Sequence, residues 1–146
     1  MFNNFNQKAT IATAILPVIT VGNGTVTGLA IDRTGYLSGA VVYHAGICPS
    51  VPTGFTVSLL ITHCDTSGGI YTTFDTIATF GLASDLSAAS TIKYFDVNLR
   101  GAKQFIKITE TFTFTGGASP SQLGSVSLVL GDKNVEPVSG TTVYGS

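Results

Sequence analysis

The chain has 146 residues, a mass of 15.1 kDa and a formal net charge of -1, and only 10% of its residues are charged. This length is typical of one domain with its own core; nine Phe and five Tyr argue against disorder, and the interrupted apolar stretch from Ile11 to Val21 is too short to span a membrane. Because a monomer usually stays in solution through a charged surface, the scarcity of charge indicates that partners cover much of the exterior.

Short runs of Thr, Val, Ile, Phe and Tyr alternate with Gly, Asn, Asp and Pro, which is typical of strands and turns. We predict an all-β, single-domain antiparallel β-sandwich or jelly-roll-like fold. Its roughly eight strands are expected over residues 10 to 20, 25 to 31, 36 to 44, 54 to 64, 70 to 80, 91 to 99, 104 to 114 and 124 to 131. The one helical candidate, Ala83 to Ser90, is too short and too rich in Ser for more than a turn.

Glycine-containing pairs mark three connections between these strands. Glycine adopts positive φ without a Cβ clash, which suits tight hairpins. Hairpin turns are therefore predicted at Asn23-Gly24, Ser67-Gly68-Gly69 and Gly116-Gly117.

Alternation within the strands predicts the core. The inward residues are Phe55, Val57, Leu59, Ile61 and His63 in one strand, and Val126, Leu128 and Leu130 in another. Glu110 falls on the same face as Ile106, Ile108, Phe112 and Phe114. Since an isolated buried carboxylate costs several kcal/mol, we expect a bulge or the end of the sheet to turn Glu110 outward. The alternative is an apolar position beside a partner charge.

The two ends of the chain lack a strand pattern. We predict an N-terminal arm over residues 1 to 9, a β-sandwich domain over 10 to 131, and a C-terminal arm over 132 to 146. We expect these arms to reach onto neighbouring subunits, as added strands for example. Their large apolar side chains are candidate partner contacts: Phe2, Phe5, Val135, Val138 and Tyr144.

Residues suited to catalysis or metal binding are not arranged for it. His44, Cys48, His63 and Cys64 make a Cys₂His₂ set, but His63 and Cys64 are adjacent on a strand and point to opposite faces. The acidic residues are scattered beside turns, and no Gly-rich loop opens a helix. We therefore expect no enzymatic activity, no catalytic residues, no metal and no cofactor. The two cysteines permit a disulfide without requiring one, and small apolar thiols in or near strands are favoured.

Positive charge is concentrated in one stretch, which we interpret as a locally basic hairpin. It contains Lys93, Arg100, Lys103 and Lys107, opposed in that stretch only by Asp96. Such a hairpin would meet an acidic protein surface or, alternatively, protect a sheet edge from aggregation. It lacks the exposed aromatic side chains of a nucleic-acid site, so neither nucleic acid nor a membrane is an expected partner.

Several motifs resemble those of a known family. They are the turn Asp32-Arg33-Thr34-Gly35-Tyr36 leading into a strand, the loop Asp65-Thr66-Ser67-Gly68-Gly69, and the stretches 95 to 108 and 127 to 131. Over about residues 30 to 131, the chain resembles small structural proteins of tailed-phage virions. The resemblance implies a virion component, and more narrowly a capsid decoration or cement protein.

The resemblance also implies a partner and a place. A cement protein binds at junctions between subunits of the major capsid protein and stabilises the phage head, because it binds only the assembled lattice. We expect a homo-oligomer, with a trimer favoured, on the capsid exterior after synthesis in the cytoplasm of the host bacterium. The alternatives are a tail, neck or head-fibre component, and a carbohydrate- or receptor-binding β-module, against which the absence of Trp counts.

Overall fold

The computed structural model describes residues 9–46, 52–81 and 91–133. In these ranges the chain forms nine strands and no helix: β1 (Thr10–Val21), β2 (Gly24–Thr27), β3 (Ile31–Asp32), β4 (Tyr36–Ala45), β5 (Gly54–Cys64), β6 (Thr72–Gly81), β7 (Thr91–Asn98), β8 (Phe105–Thr115) and β9 (Ser121–Lys133). The all-β prediction is confirmed, although the strand expected over 25 to 31 is divided into β2 and β3. Within the described ranges, accordingly, no helix could cross a lipid bilayer.

The strands form two antiparallel sheets with a nested pairing. Sheet A has the order β1-β9-β4-β7, and sheet B has the order β2-β8-β5-β6 with β3 also paired to β8. The pairing runs from the two ends of the sequence inward: β1 pairs with β9, β2 with β8, β4 with β7 and β5 with β6. A long hairpin folded over on itself gives this order, which is that of a jelly roll. The structure thus confirms the predicted sandwich in its jelly-roll form.

Two of the three predicted hairpin turns are wrong. Ser67-Gly68-Gly69 joins the paired strands β5 and β6, as expected. Gly116 and Gly117 have the expected positive φ values of 73° and 81°, but they connect β8 in sheet B to β9 in sheet A. Asn23-Gly24 likewise connects β1 in sheet A to β2 in sheet B. A glycine pair permits a change of direction without specifying which sheet the next strand joins.

The core lies between the two sheets and follows the predicted alternation. Most expected inward side chains of β5 and β9 are nearly inaccessible, with at most 2% exposure for Phe55, Val57, Leu59, Ile61, Val126, Leu128 and Leu130. The prediction is wrong for His63, which is only half-buried while its neighbour Cys64 is buried, because the pairing of β5 with β6 shifts after Ile61. Aromatic rings connect the layers, and the Tyr43 and Phe80 ring centroids lie 5.4 Å apart in an edge-on contact. The fold therefore has one continuous core.

Glu110 contradicts the prediction that a bulge or sheet end turns it outward. Its side chain is fully buried, and β8 continues regularly through it, opposite Val26 of β2 and Leu59 of β5. No bulge occurs at this position: β8 keeps regular ladder pairs with β2 and β5, and side-chain alternation therefore turns Glu110 into the core. Among the described residues no cation pairs with Glu110, so the alternative with a partner charge is not found either.

Some predictions concern residues beyond the described ranges. The arm residues Phe2, Phe5, Val135, Val138 and Tyr144, the helical candidate 83–90 and Cys48 lie outside them. Strand β9 ends at Lys133, two residues inside the segment predicted as the C-terminal arm. Cys64 is a buried, free thiol. The arms and their contacts stay predictions.

Candidate interaction surfaces

The outer face of sheet A is strongly apolar. Alternation places its outward residues in register across the four strands, with Ile19 opposite Leu123 and Val42 opposite Tyr94. Six large apolar side chains on this face are exposed by 43% to 76%: Ile11, Ile19, Val21, Leu123, Ile92 and Tyr94. Sequence reasoning missed these residues as candidate contacts, although the uncharged sequence of β1 carries the signal.

Charge is scarce on the same face. Among its described side chains, the only acid is Asp96 and the only basic residue is His44. Asp96 of β7 lies opposite Ala40 of β4, and His44 of β4 lies opposite Ile92 of β7. Between the apolar ends of the face lie small residues of β9, Ser125 and Ser127. Exposed apolar side chains grouped on one face with little charge are typical of protein interaction sites.

The outer face of sheet B is different in chemistry. Its outward positions are mostly hydroxyl side chains, and Thr25 Oγ1 lies 3.2 Å from Thr111 Oγ1, while Thr79 Oγ1 donates to Ser58 Oγ at 3.1 Å. The face comprises Thr25, Thr27, Thr56, Ser58, Leu60, Thr62, Thr79, Lys107, Thr109, Thr111 and Thr113. The outer face of sheet B is therefore more polar than that of sheet A.

A groove lies on the open side of the jelly roll, between the edge strands β1 and β2; we call it the β1–β2 groove. It has a volume of about 200 Å³ and is lined by Ala14, Ile15, Leu16, Val18, Val26, Thr27, Gly28 and Leu29. The ladder between β1 and β9 is irregular from Thr13 to Val18, and Leu29 N donates to Ala14 O at 2.8 Å instead. This local departure of β1 from its sheet forms the groove.

Three of the stretches on which the predicted resemblance rests, 32 to 36, 65 to 69 and 95 to 108, lie together at one end of the sandwich. The Arg33 guanidinium donates to three backbone carbonyls, those of Tyr36, Ala102 and Lys103. Asp32 accepts bonds from the Thr34 backbone and hydroxyl groups at 2.9 and 2.6 Å, and these bonds lower the pKa of its carboxyl. The turn after β3 is thereby joined to the connection between β7 and β8, so the motif is structural.

The loop Asp65-Thr66-Ser67-Gly68-Gly69 adjoins this junction. Lys103 Nζ contacts Asp65 Oδ2 at 2.8 Å, a hydrogen bond that raises the pKa of Lys103, and the Lys103 backbone N–H donates to His63 Nδ1 at 3.2 Å. A Cβ on Gly69 would lie only 2.4 Å from Cys64 Sγ. The glycine therefore allows the loop after β5 to close against the end of that strand.

We expect Arg33→Lys to lower the free energy of unfolding by about 2 kcal/mol, because lysine cannot reproduce three bonds made by one planar guanidinium. Urea unfolding at pH 7 measures the change. Arg100→Lys, at the other arginine of the sequence and in an exposed turn, is the matched control and should change stability by less than about 0.5 kcal/mol. Equal effects of the two substitutions would contradict the structural role of Arg33.

The predicted basic hairpin is not a hairpin, because β7 belongs to sheet A and β8 to sheet B. Lys93 lies on β7 in register with Tyr43. Lys103 pairs with Asp65, and the Lys107 ammonium lies 4.2 Å from the centre of the Tyr71 ring. The basic residues are therefore distributed over two sheets and the turn that contains Arg100. Their contact with a partner stays a prediction.

Buried polar groups interrupt the core. The Tyr43 hydroxyl, both Glu110 carboxyl oxygens, Gln122 Oε1 and Thr20 Oγ1 lack protein hydrogen-bond partners. Burial raises the pKa of Glu110 from 4.5 to about 7. Burial and the Glu110 charge raise the pKa of Tyr43. Glu110 therefore carries its proton over much of the acidic range.

The candidate metal residues are spread over two sheets. His44 lies on the outer face of sheet A, whereas the His63 ring packs against Phe74 of sheet B with centroids 5.1 Å apart. No cluster of three or more metal-binding side chains occurs among the described residues.

No protein-family model matches the sequence, and no curated protein does either. Among solved structures, the VP2 subviral particle of infectious bursal disease virus gives a TM-score of 0.54 at 15% identity, covering 87% of this chain and 33% of that one. The T13 particle of the same virus gives 0.54 at 15% identity, covering 86% and 31%. The PBSX exported protein XepA gives 0.49 at 16% identity, covering 99% and 44%.

The chain spans about one third of the length of the VP2 chains that it matches. At such identities the VP2 likeness concerns the fold, and membership of the tailed-phage cement family stays a prediction. The chain is thus a jelly-roll β-sandwich similar in fold to part of a viral capsid protein.

Proposed function

We propose that this chain is a structural protein of a virus particle and that it decorates the assembled capsid. The observation that carries the proposal is the difference between its two outer faces. Sheet A presents exposed Ile, Leu, Val and Tyr side chains with little charge, whereas sheet B presents hydroxyl groups. A protein with such faces is expected to bury the first against a partner and leave the second in water.

The size of the outer face of sheet A suits this role. Four strands spaced by about 4.8 Å and about ten residues long, at roughly 3.3 Å per residue, give a face on the order of 600 Å². A stable interface buries about 800 Å² per partner, so this face supplies most of one. The remainder would come from side chains at its rim.

The jelly-roll fold adds support by analogy. Jelly rolls occur in viral capsid proteins and also in lectins, and the VP2 likeness concerns a viral particle. In the proposed role the chain binds on the capsid exterior, across junctions of the major capsid protein, as a homotrimer. Binding only the assembled lattice shifts the equilibrium towards assembly, and this requires no catalysis, metal or cofactor.

The location is tested by counting copies in purified particles of the virus that carries the gene, using quantitative mass spectrometry. A decoration protein should be present in copies on the order of hundreds, whereas a tail or neck component has about a dozen or fewer. Absence from the particles would contradict any virion role. Binding to a glycan array instead would favour the carbohydrate-binding alternative.

The contact face is tested with particles that lack the protein. We expect Ile19→Lys/Tyr94→Lys to weaken binding of the added protein at least about 100-fold, because it places two charges in an apolar contact. Both native side chains are mostly exposed, by 64% and 76%, so the fold should persist. The control, Thr56→Lys/Thr111→Lys on the outer face of sheet B, should bind normally. If the sheet A variant binds as tightly as the native protein, sheet A is excluded as the contact.

A further inference from the structure

The open side of the jelly roll has the properties of a site for another chain. Its edge strands β1 and β2 each pair on one side only, with β9 and β8 respectively. β1 runs for 12 residues without a charged side chain. Long uncharged edges pair readily with other strands, and proteins normally protect them with charges, proline or bulges. Here protection is confined to Pro17 and the irregular pairing around it.

The β1–β2 groove lies at that irregular segment and is suited to an apolar side chain. None of its lining residues is charged, and Thr27 is the only polar one. Leu16 and Leu29 at its rim are 59% and 54% exposed. Since a cavity of about 150 Å³ holds a benzene ring, a groove of about 200 Å³ has room for one phenyl group.

We propose that the β1–β2 groove binds the N-terminal segment, residues 1 to 8, of a second copy of this chain. Residues 1 to 8 have a single charged side chain, Lys8 at the end next to β1, and include Phe2 and Phe5, which suit the apolar lining of the groove. The C-terminal segment after Lys133 contains no Phe, so it matches less well.

Geometry favours a second copy over the same chain. Eight residues extend to about 26 Å at roughly 3.3 Å per residue. The groove begins at Ala14, four residues into β1, so the segment must reverse sharply at Ala9 to reach its own groove. A neighbouring copy can receive the extended segment without such a reversal.

This self-association does not depend on capsid binding. It uses the open side of the jelly roll and leaves the outer face of sheet A available for another partner. A purified chain that remains monomeric would overturn the inference while leaving the proposed capsid contact untouched.

Sedimentation velocity of the full-length chain tests the association. We expect an oligomer for the native sequence and at least a tenfold higher dissociation constant for Leu16→Lys/Leu29→Lys, because it adds charge at the groove rim. Phe2→Asp/Phe5→Asp should weaken association similarly. Ile70→Lys, at a 90% exposed isoleucine in the turn between β5 and β6, should have no effect. If the groove and segment variants associate like the native chain, the inference is wrong.

Mixing the two weakened variants tests exchange between copies. The groove variant keeps an intact N-terminal segment, and the segment variant keeps an intact groove. Their mixture should form a mixed complex that neither forms alone, because one groove–segment pair is restored. If both are monomeric alone and remain so when mixed, the segment does not bind the groove of another copy, and the inference is overturned.

Discussion

Glu110→Gln should raise the free energy of unfolding at pH 8 by about 3 kcal/mol and leave it nearly unchanged at pH 4. Burial raises the pKa of the native carboxyl from 4.5 to about 7. Each unit of pKa difference between native and unfolded states is worth about 1.4 kcal/mol, so ionisation in the core costs about 3 kcal/mol. Glutamine has nearly the same shape but cannot ionise.

The sign of the pH dependence follows from proton binding. Between about pH 4.5 and pH 7 the native Glu110 holds its proton while the unfolded chain loses it. The native state therefore binds more protons, and stability falls as the pH rises through this window. Below the window both states are protonated, and above it both are ionised, so the contribution of Glu110 is constant there.

Urea unfolding at intervals from pH 4 to pH 8 measures this dependence. The difference between the native protein and Glu110→Gln should grow through the window and then level off. Asp96→Asn, at an exposed acid on β7, is the control and should retain the native decline. Parallel stability curves for the native protein and Glu110→Gln would contradict a protonated carboxyl in the core.

The strands could be predicted from the sequence because their signals are local. Alternation in β5 and β9 depends on which side of one strand is apolar, and both strands bury most of the expected residues, including Phe55 and Leu128 but not His63. The distribution of strands between two sheets depends on contacts between distant parts of the chain. Local chemistry therefore did not distinguish a hairpin from a crossover at Asn23-Gly24.

The connection between β1 and β2 at Asn23 shows why the local sequence is not sufficient. Asn23 Oδ1 accepts a hydrogen bond from Phe114 N at 2.6 Å, and Gly22 N donates to Pro120 O at 2.9 Å. The first bond attaches the β1–β2 connection to the end of β8, and the second attaches it to the connection between β8 and β9. The residues involved are about ninety positions apart in sequence, so no local pattern identifies the pairing.

The candidate contact surface could be predicted only in part from the sequence, because it too depends on contacts between distant parts of the chain. The scarcity of charge predicts partner binding, but the sequence directed the choice of contact residues to the terminal arms and to a basic stretch. Identifying the apolar outer face of sheet A requires knowledge of the order of its four strands, because Ile19, Leu123 and Tyr94 come from three different strands. Glu110 likewise could not be placed until β8 was known to be central.

Gly28→Ala should lower the free energy of unfolding by at least about 4 kcal/mol or prevent folding. A Cβ at this position would lie 2.2 Å from Ala14 O and 3.1 Å from Ile108 O, both backbone atoms. Moving the chain aside would break bonds of 2.8 Å from Gly28 N to Ile108 O and from Leu29 N to Ala14 O. The loss combines steric overlap with two hydrogen bonds at the junction of β1 and β8.

Gly68→Ala provides the matched control, because no atom lies within 4 Å of a Cβ built there. It should change stability by less than about 1 kcal/mol, with a small gain expected from the lower entropy of the unfolded chain. Urea unfolding, or the soluble yield if Gly28→Ala does not fold, distinguishes the two variants. A stable Gly28→Ala protein would mean that β1 approaches β8 less closely than the structure shows. The β1–β2 groove would then differ in shape, since Gly28 and Ala14 both line it.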